Sequence, residues 1–318
     1  MIYNKLGNTD IEVSKICFGS LTMGPLQRNL STYEGASLIE HAFHQGVNFI
    51  DTAELYETYA HIKEALKRVP RQALVIASKC YAYSEETAKN SLDKALREMD
   101  TDYVDVFMLH EQMNALTVKG HYEAIEYFLK MKEKGVIRAF GISTHYIAGV
   151  EAAIKYPEIE IVHPILNIAG LGIQDGTREQ MEAALKTYKA RGGGVFAMKP
   201  LGGGNLLHSI DACFDYVLNQ PYVDSIAFGM QSTDEIDYNV KRICGELIPD
   251  SLTIAVRRES KDKKLQIADW CIGCGACVNK CDHKALRIEN GFAVVDANRC
   301  VLCGYCAAVC PEFCIKVY

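Results

Sequence analysis

No stretch of the 318 residues is apolar over anything near the eighteen or so positions that a membrane-spanning helix needs, so no span is expected. The opening MIYNKLGNTD lacks a basic segment followed by an apolar one, so no secretory signal is expected and a cytoplasmic location is. Positive charge is not in excess: 34 Lys and Arg against 40 Asp and Glu give a net charge of -6, which argues against a nucleic-acid partner. Cysteine is scarce over the first 260 residues, where only Cys17, Cys80, Cys213 and Cys244 occur. A disulfide scaffold would not leave that length so thinly served.

What is present is ordinary for a soluble globular protein: 49% hydrophobic and 23% charged residues, enough for a large core. The length exceeds that of one small domain and suits a barrel plus an appendage. Short β-rich apolar runs stand at 16–21, 48–53, 73–80, 102–110, 137–144, 159–167, 195–200 and 224–230. Amphipathic helical patterns separate them, one opened by Ser84 as an N-cap and several closed by glycine (Gly46, Gly135, Gly192). Eight strand–helix units predict an α/β fold, a (β/α)8 TIM barrel, over residues 1–245. MIYNKLG and IEVSKI, joined by NTD, predict a hairpin capping the barrel bottom. A charged connector is expected over 246–264 and a small α+β domain over 265–318.

That last segment carries an internal repeat. Cys271, Cys274, Cys277 and Cys281 follow C-x2-C-x2-C-x3-C, and Cys300, Cys303, Cys306 and Cys310 repeat it 29 residues on. Short alternating segments, ALRI at 285–288 and CIKV at 314–317, begin four residues after each last cysteine. Zinc on C-x2-C pairs is the competing reading, but it would have no use for the third close cysteine and the fourth at x3. Three thiolates in one tight loop instead match three corners of an iron–sulfur cube. The layout resembles bacterial two-cluster ferredoxins, and the resemblance implies two [4Fe-4S] clusters with crossed ligation. Cys271, Cys274, Cys277 and Cys310 would hold one; Cys300, Cys303, Cys306 and Cys281 would hold the other. Pro311 follows the last ligand of the second half, whereas Asp282 stands in the first. Cys314 aligns with Ala285 and is expected to be a small buried residue, not a ligand. Trp270, the only tryptophan, is expected to anchor the tail by packing.

At successive strand ends the barrel reads NFIDTAELY, VIASKC and VFMLH. These motifs resemble the aldo-keto reductase family over nearly all of residues 1–245, and the family's tetrad maps onto Asp51, Tyr56, Lys79 and His110. The resemblance implies a small-molecule carbonyl or alcohol substrate and NAD(P)H. A carbonyl that accepts hydride needs a proton, and a tyrosine with an ordinary pKa near 10 needs help to give it. Lys79 is expected to lower the Tyr56 pKa, Asp51 to keep Lys79 charged, and His110 to orient the carbonyl. Cofactor contacts are expected from Ser143, His163 and Asn167, from Met198 and Lys199, and from Gly229, Ser232 and Asn239. His163 stands in place of a glutamine, and Met198-Lys199 in place of Tyr-Ser. The Tyr56 loop reads YETYAH where the family has YG-x-SE.

The expected activity is an iron–sulfur oxidoreductase in which cluster electrons are linked to carbonyl chemistry, with a redox protein as a further partner. Nicotinamide moves hydride and cubanes move single electrons. A flavin would bridge the two, and the absent stacking tyrosine with the LGGGNL loop leaves room for one, although no flavin fingerprint is present. The alternatives are a ferredoxin-type carrier on an inert or flavin-binding barrel, and clusters with a purely structural role.

Overall fold

Alternation of side chains along each β-rich run creates two faces, and a parallel strand buried on both must be apolar on both. The structure, a computed structural model describing residues 1–261 and 263–318, shows the result. After a hairpin of β1 (Tyr3–Lys5) and β2 (Glu12–Ser14) come eight strands: β3 (Ile16–Gly19), β4 (Phe49–Asp51), β5 (Val75–Cys80), β6 (Val104–Leu109), β7 (Ile137–Thr144), β8 (Ile161–Pro164), β9 (Gly194–Met198) and β10 (Ser225–Gly229). All eight pair in parallel, and β10 closes on β3 to complete the barrel. One face of each strand fills the interior: Cys17, Phe49, Ala77, Met108, Ala139, Ile161, Phe196 and Ala227. Leu6, Ile11 and Val13 of the hairpin region join this cluster, so the expected cap is also a plug. The other face, including Phe18, Ile50, Ile76, Cys80, Phe107 and Phe140, packs against the helices. Each such fully buried large side chain contributes about 1.5–3 kcal/mol relative to exposure.

The helix signals hold as well. Ser84 accepts the Thr87 N–H in a capping box at the start of Glu85–Met99. Gly46, Gly135 and Gly192 have the left-handed backbone that ends a helix. Among the described residues no helix is long and apolar enough to cross a membrane.

Beyond the barrel's last helix, Thr233–Cys244, the expected connector contains a helix, Asp250–Lys261, packed on its predecessor. Residue 262 of that connector lies outside the described residues. The tail then forms two antiparallel pairs, β11 (Leu265–Ile267) with β14 (Ile315–Val317), and β12 (Leu286–Glu289) with β13 (Phe292–Val295). Its 29-residue repeat is legible in the backbone. Gly273 and Leu302, Gly275 and Gly304, and Lys284 and Phe313 are three equivalent pairs, and all six residues have positive φ. Cys314 is buried, as expected. Trp270 is not the packed anchor expected: it is 55% exposed, tethered by its indole N–H to the Glu312 carbonyl at 3.2 Å.

The tail sits on the C-terminal mouth of the barrel. Asn205, in the loop after β9, donates to the Ile315 carbonyl at 3.0 Å, and Gln266 donates to the Leu26 carbonyl at 3.0 Å beyond β3. The Phe313 ring presses on Gly172 in the loop after β8, leaving no space for a side chain there. Gly204 (φ +84) approaches the Val317 carbonyl so closely that a methyl group would overlap it. Gly204→Ala therefore combines backbone strain with this collision, at a cost of about 1–3 kcal/mol. The expected outcome is roughly tenfold faster trypsin cleavage between the last barrel helix and β11, with barrel far-UV CD unchanged. Wild-type cleavage kinetics would show that this contact does not seat the tail.

Candidate active site and iron–sulfur sites

The C-terminal ends of β4, β5 and β6 bring three of the expected tetrad residues to one place. Asp51 ends β4, Lys79 lies in β5, and His110 follows β6. Register pairs Asp51 with Ala77, so Lys79 lies two residues beyond that level and reaches back to it. Its Nζ donates to Asp51 Oδ1 at 2.5 Å and to the Thr52 carbonyl at 2.8 Å, fully buried. Tyr56 follows in the short helical turn Glu54–Tyr56, with its ring centroid 4.8 Å from Lys79 Nζ. Glu57 closes that turn at φ 54, supplying with a glutamate the left-handed conformation that a glycine adopts more easily. Thr58 anchors the loop below through hydroxyl contacts of 2.8 Å to both Ser20 and Thr52. The departure from YG-x-SE thus leaves Tyr56 at the mouth.

The Tyr56 pKa differs from the sequence expectation. It is pushed well above its ordinary value, by burial first and then by Asp51, Glu111 and Tyr81. Burial outweighs the nearby Lys79, whose bonds go to Asp51 and Thr52 and not to the phenol. Asp51 itself is raised by burial against the opposing pull of Lys79. His110 is held neutral, well below its usual range, by burial and then by Lys79 and Lys199. It stacks on Tyr81 at 4.6 Å and meets the Tyr56 ring edge-on at 5.8 Å. Its Nδ1 is buried without a partner, as is Gln112 Oε1 nearby in sequence.

The expected cofactor residues divide. His163 lies deep in the barrel with Nδ1 2.6 Å from the Phe196 carbonyl. A carbonyl only accepts, so Nδ1 carries the proton. Burial and then Lys79 lower its pKa well below the ordinary range, leaving Nε2, 3.7 Å from Asp51, as a lone pair and not an ion-pair partner. Ser143 accepts the Glu111 N–H at 2.9 Å. Asn167 is turned to its own loop, bonded to both the N–H and the carbonyl of Leu171 at 2.9 Å. Met198 ends β9 and Lys199 follows it, its Nζ 2.7 Å from His145 Nε2. Gly229, Ser232 and Asn239 form a separate group at the end of β10 and along the helix Thr233–Cys244. Ser232 caps that helix and donates to Glu259 at 2.7 Å. His145, Gln112, Tyr81 and Glu259 carry no expectation from sequence. Only His145, two residues after Ser143 in GISTH, and Gln112, two after His110, have a signal there.

In the tail the eight repeat cysteines line two cavities. Cys271, Cys274, Cys277 and Cys310 surround one, together with Cys314; Cys281, Cys300, Cys303 and Cys306 surround the other. Each cavity takes three cysteines from one half of the repeat and one from the other, the crossed arrangement expected. Among the described residues, no three His, Cys, Asp or Glu side chains converge as a single metal ion would need. Backbone N–H groups of Gly273 and Ala293 point at the Cys271 sulfur, and that of Ala285 at the Cys281 sulfur, at 3.3–3.5 Å. Such donors favour thiolate, so the residues present fit iron–sulfur clusters. Cys314, whose sulfur is 3.4 Å from that of Cys310, stands where the other cavity has Ala285.

The pattern of the Aldo/keto reductase family matches residues 15–212, and that of the 4Fe-4S dicluster domain matches residues 270–314. L-galactose dehydrogenase of Arabidopsis thaliana is 29% identical over 217 residues, covering 63% of this chain and 66% of that protein. NADH-specific methylglyoxal reductase of Escherichia coli is 25% identical over 183 residues, covering 49% of this chain and 56% of that protein. The chain thus spans only about half to two thirds of these relatives. The holo form of an aldo-keto reductase from Bacillus halodurans superposes with a TM-score of 0.65 at 21% identity, covering 81% of this chain and 96% of that one. That likeness is one of fold.

Protein purified without oxygen is expected to contain about eight iron and eight sulfide per chain. Cys310→Ala should lose one cluster and Cys306→Ala the other, while Cys314→Ala keeps both. Stoichiometric zinc without sulfide, or loss of both clusters in Cys314→Ala, would contradict this assignment.

Proposed function

The chain belongs to the aldo/keto reductase family, and from that premise we propose that it interconverts a small carbonyl compound and its alcohol at the barrel mouth, with electrons exchanged through its 4Fe-4S dicluster domain. The observation that carries this reading is the convergence of Tyr56, His110 and the buried Lys79–Asp51 pair at the same end of the barrel on which the tail is docked. Reduction adds a hydride to the carbonyl carbon and a proton to its oxygen. Tyr56 gives the proton. Its raised pKa keeps it protonated throughout the physiological range, so the proton is in place when the alkoxide forms. The same shift makes it a poor base, which favours reduction over oxidation near neutral pH. Neutral His110 orients the carbonyl oxygen, and Lys79, fixed by Asp51, places positive charge beside the developing oxyanion.

The site also suits a nicotinamide. The unpartnered buried Gln112 Oε1 and the Ser143 hydroxyl at the ends of β6 and β7 offer an acceptor and a donor for a carboxamide. Gly229, at the end of β10, leaves its side-chain space to Thr22, whose methyl group a Cβ there would overlap. Near Ser232 and Asn239 the carboxylate of Glu259 suits ribose hydroxyls and repels a 2′-phosphate, so NADH is the preferred donor. When bound, the nicotinamide supplies hydride; the clusters, held by the two cysteine sets, supply or remove single electrons.

Tyr56→Phe removes only the phenolic proton. Carbonyl turnover is expected to fall about 10²–10⁴-fold while dinucleotide affinity stays within a factor of two or so. Undiminished turnover would remove Tyr56 from the acid role, and no turnover in the wild type with any donor would favour an electron carrier on an inert barrel. Glu259→Gln should move the NADH to NADPH ratio of kcat/KM about tenfold toward NADPH, equivalent to about 1.4 kcal/mol. An unmoved ratio would place Glu259 outside the cofactor site. Acid extraction of the same protein shows whether a flavin is present as coupler.

A further inference from the structure

Lys199 adopts a left-handed backbone at φ 58, an uncommon state for a side chain of its size. Its Nζ lies 5.6 Å from the centroid of the Phe313 ring, which comes from the tail. The same ring has a second ammonium over it: Lys316 Nζ, on β14, at 3.2 Å from the centroid. His145 meets that ring edge-on at 6.3 Å. The acceptor of Lys199 is the neutral imidazole of His145, and the acceptor of Lys316 is the Phe313 carbonyl. Neither acceptor carries charge. Of the nearby acids, Asp51 is held by Lys79, and Glu111 accepts from the Tyr81 hydroxyl. Among the described residues, one barrel lysine and one tail lysine therefore crowd a single aromatic ring without a carboxylate bonded to either.

Half-buried charges in proteins are ordinarily paired, and two like charges this close repel unless an anion joins them. The pKa directions agree: burial first, then Lys199, holds Lys316 well below its usual value against the opposing pull of Cys310, Cys314 and Glu111, and Lys199, also lowered chiefly by burial, falls to about 8. The missing anion has a defined place. Lys199 follows the C-terminal end of β9, the same end of the barrel at which Asp51 and His110 stand, and its charge acts on both, so a group bound by it faces the same mouth.

We propose that Lys199 and Lys316 together form a carboxylate-binding site at the barrel mouth, so that the substrate is a carbonyl compound bearing a carboxylate close to the reacting carbon, of the 2-oxo acid or 2-hydroxy acid class. The substrate class rests on the carbonyl-reduction reading above; the anion site rests on the two lysines alone. Two point charges against the same Phe313 ring suit a small acid, and a neutral aldehyde leaves both unpaired. Because Lys316 and Phe313 belong to the tail, the site is complete only when the cluster-bearing domain is docked. Substrate recognition and electron supply would then share one contact surface.

The test is anaerobic titration calorimetry of the full, cluster-loaded chain with oxamate and with its methyl ester. Wild type should bind oxamate at least tenfold more tightly than the ester. Lys199→Met and Lys316→Met should each reduce that ratio to near one, and Lys316→Arg should preserve it with a wild-type proteolysis pattern, which separates lost charge from lost docking. No preference in the wild type, or a preference that survives both methionine variants, overturns the proposal. So does a Lys316→Met protein whose cluster potential shifts while its oxamate preference does not, since Lys316 would then serve only to offset cluster charge. Pyruvate turnover is measured separately. If oxamate binding depends on the lysines but pyruvate is never reduced, the anion site stands and the catalytic reading fails. If neutral aldehydes are reduced and oxamate shows no preference, the anion site alone fails.

Discussion

The mouth of the barrel is organised around one buried ion pair, Lys79 with Asp51, whose side chains are 0% and 6% exposed. Removing one member of such a pair strands the other and costs about 3–5 kcal/mol. The pair is held by strand register and not by side-chain choice, since β4 and β5 align Asp51 with Ala77 and leave Lys79 one pleat farther on. Much nearby depends on that placement. Burial first, and then the Lys79 ammonium, keeps His110 and His163 from protonating, so both act as neutral hydrogen-bonding groups. The carboxylate, together with burial, keeps Tyr56 a phenol. The charge distribution is thus fixed before a substrate arrives, which is the condition for electrostatic catalysis without reorganisation.

The second constraint is the docked tail. A helix after β10 runs toward the bottom of the barrel, yet the tail lies at the top, so the chain between that helix and β11, including the helix Asp250–Lys261, must lead back. Two side chains fasten this return: Lys263 to Glu235 at 2.9 Å, and Glu259 to the Ser232 hydroxyl. A structural plug for the barrel would need no such return, because the N-terminal hairpin already seals the other end. The segment that reaches deepest is Cys310 to Lys316, in which a cluster-lining cysteine and the Phe313 ring over the barrel mouth are three residues apart. This short separation is the physical basis for linking the two chemistries.

The sequence revealed features whose information is local or strictly periodic. Eight strands are legible in apolar runs, the two cysteine cavities in spacing, and the tetrad in residues at three successive strand ends. The Tyr56 pKa departs from expectation because burial, and then Asp51, outweighs proximity to a lysine. Contacts between distant segments are not legible. Lys316 meets a loop about 110 positions upstream, Glu259 meets Ser232 from a different helix, and nothing in CIKV distinguishes a strand lysine at the mouth from a solvated one. Trp270 departs from expectation for a related reason: an aromatic beside a ligand looks like an anchor until the tail's small core proves to be filled by cysteine, alanine and leucine with Ile315.

Backbone strain supplies an independent indication of where function lies. Nine of the described non-glycine residues have positive φ. Asn29, Asp100 and Asn290 need no special explanation, since asparagine and aspartate enter that region readily in turns and at helix ends. Lys284, Leu302 and Phe313 belong to the cluster-binding repeat, Lys284 and Phe313 at equivalent positions. The remaining three, Glu57, Glu111 and Lys199, all belong to the mouth: one closes the Tyr56 turn, one follows His110, and one follows Met198. Each costs on the order of 1–2 kcal/mol and persists only because the barrel around it over-determines its conformation. The repeat brings a left-handed residue of its own to this boundary, where the Phe313 ring lies against Gly172 and beside Lys199 and His145. The same backbone state at Lys284 shows that the repeat sets the conformation, so it is the Phe313 side chain that fits the tail to the barrel.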